Sequence, residues 1–173
     1  MDFKKYIREI PDWPKPGINF YDITTLLENK EIFKNVIDCL CAPYKNQTMD
    51  KVVGIDARGF LLAGAIAYQL GAGISVIRKK GKLPYKTKLC DYVLEYASET
   101  MEIHEDTIKP GEKVIIVDDL VATGGTLLAA AELVEELGGE IIGISYVIDL
   151  PFLKGSEKLK KYQLNYLVSY NSE

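Results

Sequence analysis

The sequence has few residues of the kinds that build disulfide frameworks or clustered metal sites. Only three cysteines (Cys39, Cys41 and Cys90) and one histidine (His104) occur among its 173 residues. An odd cysteine count without a C-x-x-C motif argues against a disulfide framework or a zinc site and predicts free thiols in a reducing cytoplasm. A catalytic thiol is not expected, because His104 would have to be its base, and sequence alternation places that histidine on a solvent-facing strand position.

The chain also lacks an excess of positive charge and an uninterrupted hydrophobic run. It has 21 Lys and Arg against 25 Asp and Glu, a net charge of −4, so a general nucleic-acid-binding surface is not expected. The first residues contain no apolar signal core. The apolar run 60–77 is interrupted by Gly71 and Gly73, which predicts a buried helix and then a buried strand instead of a membrane span. We therefore expect a cytoplasmic chain with no membrane or nucleic-acid partner.

The apolar pattern predicts a single α/β domain over residues 1–173. No repeat or linker divides the chain, whose length suits one compact domain. Strands are predicted at 52–55, 74–77, 114–117, 141–148 and 164–170, and helices at 2–10, 25–41, 60–70 and 127–137. A capping box, Thr25 to Glu28, is predicted to begin the second helix. Uninterrupted apolar strands joined by helices indicate a parallel sheet covered on both faces, with ligands bound beyond the carboxyl ends of the strands.

The loop after the strand 114–117 has the composition of a site for a phosphorylated sugar. Two adjacent acids, Asp118 and Asp119, stand at the strand end, where carboxylates can accept hydrogen bonds from sugar hydroxyls or approach Mg2+. The following residues Ala122, Thr123, Gly124, Gly125 and Thr126 lead into a helix, so glycine backbone and helix N–H groups can hold a phosphate. The alternative is an ordinary Gly-Gly turn with a threonine cap. Neither G-x-x-x-x-G-K-[ST] nor G-x-G-x-x-G occurs.

Four stretches together resemble the type I phosphoribosyltransferases. VIIVDDLVATGGT (114–126) resembles the loop of this family that binds phosphoribosyl pyrophosphate (PRPP). IPDWPKPGINFYDIT (10–24), VVGIDARGF (52–60) and RKKGKLP (78–84) with Leu94–Tyr96 resemble the hood, pyrophosphate loop and flexible loop of its adenine-specific members. The match runs from about residue 8 to 155. It implies a parallel twisted sheet flanked by helices, a small N-terminal hood (about 1–25) and a flexible catalytic loop (about 78–102).

The resemblance implies a reaction, adenine + PRPP → AMP + pyrophosphate, and a role for each matching residue. Ala122–Thr126 would hold the 5′-phosphate, and Asp118 and Asp119 would face the ribose and a Mg2+ ion held mainly by PRPP. Asp56, Ala57 and Arg58, with Arg78, Lys79 and Lys82, would bind pyrophosphate. Phe20 would stack on adenine, with Ile18, Asn19 and Tyr21 around it. Glu95, Arg58 and Tyr96 are the catalytic candidates, and a homodimer is expected.

Several alternatives stay open on the sequence alone. Asn19 and Tyr21 stand where many relatives carry an aliphatic residue and an arginine. Either the contacts to the base run through backbone atoms there, which would tolerate the change, or side chains matter and base affinity or selectivity is altered. RKKGK could be a solvated charge run, Phe20 a core aromatic, Arg58 a surface ion-pair partner and Glu95 an exposed acid. Among functions, the rivals are transfer to hypoxanthine, guanine or xanthine, a PRPP-sensing regulator without catalysis, and a nucleotide-binding scaffold.

Overall fold

A computed structural model describes residues 1–93 and 98–172 and has a mixed seven-stranded sheet at its centre. The strands are β1 (Arg8–Ile10), β2 (Phe20–Asp22), β3 (Lys51–Ile55), β4 (Gly73–Lys79), β5 (Thr87–Val93), β6 (Ser98–His104), β7 (Lys113–Val121), β8 (Glu140–Asp149) and β9 (Leu164–Ser169). The helices are α1 (Thr24–Glu28), α2 (Lys30–Cys41), α3 (Arg58–Leu70), α4 (Gly125–Glu136) and α5 (Gly155–Lys158). Short 3-10 turns lie at Phe3–Tyr6, Ala42–Tyr44 and Pro151–Leu153.

The strand order of the large sheet is β5-β6-β4-β3-β7-β8-β9. Five neighbouring strands pair in parallel, as predicted, namely β4, β3, β7, β8 and β9. β6 pairs antiparallel with both β4 and β5. β5 and β6, where no strand was predicted, thus supply an antiparallel edge to the sheet. β1 and β2 form a separate two-stranded sheet from the N-terminal segment.

The core lies on both faces of the parallel strands. Successive residues of β7 alternate between two apolar clusters, Ile115 and Val117 in one and Val114 and Ile116 in the other. The first cluster includes the buried faces of α2 and α3, and the second includes α4. This arrangement explains why the central strands are apolar at every position. Within the described ranges, every helix is too short or too polar to cross a bilayer.

The predicted first helix is wrong. The chain forms only a 3-10 turn, in which Asp2 accepts a hydrogen bond from the N–H of Lys4 at 3.3 Å, and then enters β1. β1 pairs antiparallel with β2, matching Arg8 with Asp22 and Ile10 with Phe20. This pairing of segments distant in sequence outweighs the helical spacing of the apolar residues. The spacing is a local pattern and contains no information about such pairing.

The predicted second helix is two helices. Thr25 does not cap: its hydroxyl donates to the carbonyl of Tyr6, and the residue preceding α1 is Ile23, which makes no side-chain cap. Asn29 interrupts the segment and caps α2, where its Oδ1 accepts from the N–H groups of Glu31 and Ile32 at 3.1 and 3.2 Å. The side chain that caps a helix in this segment is therefore Asn29 and not Thr25.

Candidate active site

A cavity of about 250 Å³ opens at the carboxyl edge of the sheet, where β3 and β7 end side by side. Two loops and the first turns of two helices line it. Its lining comprises Asp56, Ala57, Arg58, Tyr92, Asp118, Asp119, Leu120, Val121, Ala122, Thr123, Gly124, Thr126 and Leu127. The structure thus brings together the predicted phosphate loop, the acid pair and the predicted pyrophosphate loop, at the edge where parallel sheets bind ligands.

The acid pair belongs to β7, which continues four residues beyond the predicted strand end. Asp118 and Asp119 are 8% and 7% exposed. Burial, and then the neighbouring charge of Asp119, raise the pKa of Asp118 well above its usual value, although its Oδ1 accepts the N–H of Asp119 at 2.8 Å. A cation arriving in the cavity would therefore find a site that favours positive charge.

Arg58 supplies positive charge to this pair. Its Nε lies 2.7 Å from Oδ2 of Asp119, an ion pair without the alignment of a hydrogen bond. The guanidinium carbon is also 5.1 Å from the ring centroid of Phe20, within range of a cation–π contact. The arginine is only partly exposed, with 34% of its side chain accessible. It therefore links the hood to the acid pair across the cavity.

Gly59 explains how the first turn of α3 comes so close to β7. A Cβ atom at this position would lie 2.8 Å from the carbonyl oxygen of Val117 and 3.1 Å from Oδ1 of Asp118. The contact with the carbonyl oxygen of Val117 cannot be relieved by a rotamer change, so the approach requires glycine. The Asp56–Ala57 peptide bond that precedes this turn is cis.

The predicted phosphate loop is braced by residues 155–158, for which the sequence predicted no role. Gly124, with φ of +79°, precedes the first residue of α4. The backbone of Gly155 packs directly on Ala122 and Gly124, and a Cβ at residue 155 would overlap the carbonyl oxygen of Ala122. The Nζ of Lys158 donates to the carbonyl of Thr123 at 2.8 Å. A glycine after β8, the strand beside β7, was the available signal for this contact.

The stretch RKKGKLP (78–84), predicted to belong to the flexible loop, begins at the end of β4 beside the cavity. Arg78 Nε lies 3.0 Å from Oδ2 of Asp56. Lys79 pairs with Glu99 at 2.8 Å, and the other oxygen of Glu99 accepts from the hydroxyl of Tyr92 at 2.9 Å. Lys82 is exposed. Among these, only Asp56 and Tyr92 line the cavity. Tyr92 was not among the predicted site residues, because its place in the cavity depends on the packing of β5 against α4.

The predicted base-binding residues of the hood differ in how far their side chains are exposed. Phe20 is half-buried and meets the Trp13 ring edge-on at 4.4 Å. Ile18 and Asn19 are also half-buried, and within the described residues Oδ1 of Asn19 is buried without a hydrogen-bond partner. Tyr21 is 3% exposed with its ring 4.1 Å from that of Tyr170, so its side chain packs in the core and does not face a ligand.

Two other predictions have different outcomes. Glu95 and Tyr96 lie outside the described residues. His104 ends β6 and is half-buried, with Nε2 buried and unpartnered in the described part of the chain, so a solvent-facing position is wrong for it. The face of β6 that alternation assigned to solvent also buries Glu102, which the loop after β4 covers.

The residues present fit a substrate-borne magnesium ion better than a resident one. The ranges 1–93 and 98–172 contain no group of three or more acidic, histidine or cysteine side chains placed to hold a metal. Mg2+ is commonly held by one or two carboxylates together with substrate phosphates and water. Asp118 and Asp119, buried side by side at the cavity wall, supply such a partial set.

Comparison with known proteins points to one family. The family model described as "Phosphoribosyl transferase domain" matches residues 22–169. The chain is 51% identical over 171 residues to an adenine phosphoribosyltransferase of Clostridium botulinum, covering 99% of both chains. The fold is similar to that of the Thermoanaerobacter pseudethanolicus adenine phosphoribosyltransferase, with a TM-score of 0.94, 44% identity and 98% of each chain covered. It is also similar to the Saccharomyces cerevisiae enzyme complexed with D-2,5-dideoxy-2,5-imino-altritol 1,6-bisphosphate and adenine (TM-score 0.91, 37% identity, 96% and 97% covered).

A substitution at Gly155 tests whether its contact shapes the predicted phosphate loop. Gly155→Ala should push the loop out of place, because the new methyl group would overlap backbone atoms of Ala122 and Gly124. We expect affinity for PRPP, measured by titration calorimetry, to fall roughly tenfold or more, as for loss of one charge-assisted hydrogen bond. Glu157→Ala, in the same short helix but exposed, serves as the control. Unchanged affinity in Gly155→Ala would show that the contact does not shape the loop.

Proposed function

The chain belongs to the phosphoribosyltransferase family and has the activity of its adenine-specific members, and we propose that it joins adenine to PRPP at the carboxyl edge of its sheet. The observation that carries this proposal is the single cavity shared by residues 118–126 and residues 56–58. One loop suits a sugar phosphate and the other suits pyrophosphate, so the two ends of PRPP would lie against two neighbouring strand ends. The products are AMP and pyrophosphate.

The 5′-phosphate is assigned to the loop Ala122–Thr126. The first turn of α4 has N–H groups without partners inside the helix, and the helix dipole adds partial positive charge at this end. Gly124, in a left-handed conformation, lines the cavity directly before this turn, and the hydroxyls of Thr123 and Thr126 can add donors. Because this phosphate is present in both substrate and product, a rigid cradle suits it.

The ribose is assigned to Asp118 and Asp119. Ionised carboxylates accept hydrogen bonds, and the two ribose hydroxyls are donors of the required kind. The same pair would meet the Mg2+ ion that PRPP brings, which supplies charge neutralisation to the pyrophosphate when bound. That cation would offset the burial that disfavours two adjacent negative charges here.

Bond breaking places the heaviest electrostatic demand on the pyrophosphate side. The bond between C1 of the ribose and the pyrophosphate oxygen breaks with its electron pair on the oxygen, leaving C1 electron-poor until N9 of adenine bonds to it. Arg58 at the start of α3 lines the cavity and Arg78 near the end of β4 pairs with Asp56 of its lining, while Lys79 ends β4 and Lys82 lies in the loop that follows. Fixed cations of this kind stabilise developing negative charge without reorganising at the moment of reaction.

Adenine is assigned to the hood. A partly exposed aromatic ring at Phe20, near the guanidinium of Arg58, offers a flat partner for the base. The unpartnered Oδ1 of Asn19 is an acceptor that suits the 6-amino group of adenine, whereas hypoxanthine and guanine carry an oxygen at that position. The asparagine that departs from the family pattern is thus compatible with adenine selectivity. Tyr21 would act through its backbone.

Assembly and location stay predictions. A homodimer and a cytoplasmic location are expected from the resemblance and the cysteine pattern. Sedimentation of the purified protein tests the first: a single species at the monomer mass would contradict it.

Release of pyrophosphate tests the function directly. With PRPP and Mg2+ we expect rapid release on addition of adenine, and release at least about 100-fold slower with hypoxanthine or guanine, because unmatched polar groups are rejected strongly. Comparable rates with another purine would assign that base instead. Tight binding of PRPP without turnover would favour a PRPP-sensing regulator, and tight AMP binding alone would favour a scaffold.

Glu95 is proposed to manage the adenine proton or to stabilise the electron-poor ribose. Glu95→Gln keeps the shape and removes the charge, so we expect kcat to fall by roughly 100-fold or more, within the range for general acid–base groups. PRPP affinity should change little. Glu140→Gln, exposed at the opposite end of the sheet, is the matched control. A near-normal kcat for Glu95→Gln would remove this residue from the role.

A further inference from the structure

A buried carboxylate lies beneath the loop that carries Lys82. Glu102 is in the middle of β6 and only 3% exposed. It does not line the cavity, and nothing in the proposed chemistry uses it. Burying an ionised carboxylate is costly unless charges or hydrogen bonds compensate it. The position therefore calls for a structural or functional explanation.

The compensation comes from the loop itself. Oε1 of Glu102 accepts from the N–H groups of Lys82 and Leu83 at 2.8 and 2.7 Å, and Oε2 faces the hydroxyl of Thr87 at 3.3 Å. Burial acts to raise the pKa of Glu102, but backbone N–H groups of Leu83, Gly81 and Lys82 outweigh it and hold the pKa below its usual value. The carboxylate is thus ionised at neutral pH, and among the described residues no Lys or Arg forms an ion pair with it.

Arg78 forms a second contact with the same peptide segment. It lies directly opposite Glu102 in the pairing of β4 with β6, so the two side chains emerge on one face of the sheet. A terminal nitrogen of Arg78 donates to the carbonyl of Lys82 at 3.3 Å, while its Nε pairs with Asp56. Residue 82 is therefore held at its N–H by Glu102 and at its carbonyl by Arg78, and its side chain stays exposed.

This double attachment connects the β4 loop to the loop after β3. Asp56 lines the cavity, Arg78 bridges from Asp56 to residue 82, and Glu102 completes the hold. The backbone of Lys82 is thereby fixed relative to the proposed pyrophosphate site. A four-carbon side chain with high rotamer freedom gains in catalysis when the backbone that bears it is already placed.

We propose that Glu102 is a positioning residue of the reaction: it fixes the backbone of Lys82 so that the lysine ammonium reaches the departing pyrophosphate. The inference rests on the proposed role of Lys82. It differs from a purely structural role, in which Glu102 would stabilise the fold and affect activity independently of Lys82.

A double-mutant cycle between Glu102→Gln and Lys82→Met separates these two roles. Pyrophosphate release is measured for both single variants and the double variant, with thermal melting of each. We expect Glu102→Gln to lower kcat/KM for PRPP roughly tenfold, with KM for adenine changing less than about twofold. In the Lys82→Met background the same change should have little further effect, because residues acting as one unit are non-additive. Glu102→Asp, which keeps the charge, should restore part of the loss.

The control is Glu105→Gln, an exposed glutamate one residue beyond β6, which should leave activity unchanged. Additive effects of Glu102→Gln and Lys82→Met, or wild-type activity in Glu102→Gln, would overturn the proposal. If Lys82→Met alone has no effect, the proposed role of Lys82 fails instead, and with it the basis of this inference. Should Glu102→Gln not fold, Glu102→Asp takes its place in the cycle; if neither folds, Glu102 is structural and the proposal is wrong.

Discussion

The parallel pairing of β3 with β7 is the constraint on which the rest of the site depends. With Gly54 opposite Val117, the two strands end at the same edge, and Arg58 and Asp119 come to 2.7 Å. Gly59 allows the approach, since any side chain there would press on the carbonyl oxygen of Val117. The charged pair is therefore a consequence of the sheet and not of a flexible loop, which gives its geometry the rigidity that electrostatic catalysis requires.

The two phosphate groups of PRPP make different demands, and the two halves of the site differ accordingly. A backbone loop braced by Gly155 and Lys158 suits the phosphate that stays bound throughout the reaction. Side-chain cations suit pyrophosphate, which must be held as charge develops and then released. The hold of Arg78 and Glu102 on residue 82 would let these cations act without each lysine having to find its position anew.

The features of the fold and the site that could be predicted from the sequence are those set by residues close together in the chain. The central strands, α3, α4 and the loop 118–126 could be predicted because their apolar periods and glycines lie within a few residues of one another. The pairing of β1 with β2 overrode a helical spacing that no local pattern could correct. No local pattern predicts the burial of Glu102, which comes from a loop folded over β6, or the contact of Gly155 with Ala122 and Gly124, which comes from the connection between β8 and β9. Contacts between segments distant in sequence are what the pattern does not encode.

A crystal structure with PRPP and Mg2+ tests the central claim most directly. The arrangement of β3 and β7 predicts the 5′-phosphate against the backbone N–H groups of residues 123–126, the ribose hydroxyls at the acid pair, and the pyrophosphate in contact with Arg58. Ligand density with the phosphate away from this loop, or with Arg58 turned away from the pyrophosphate, would contradict the account.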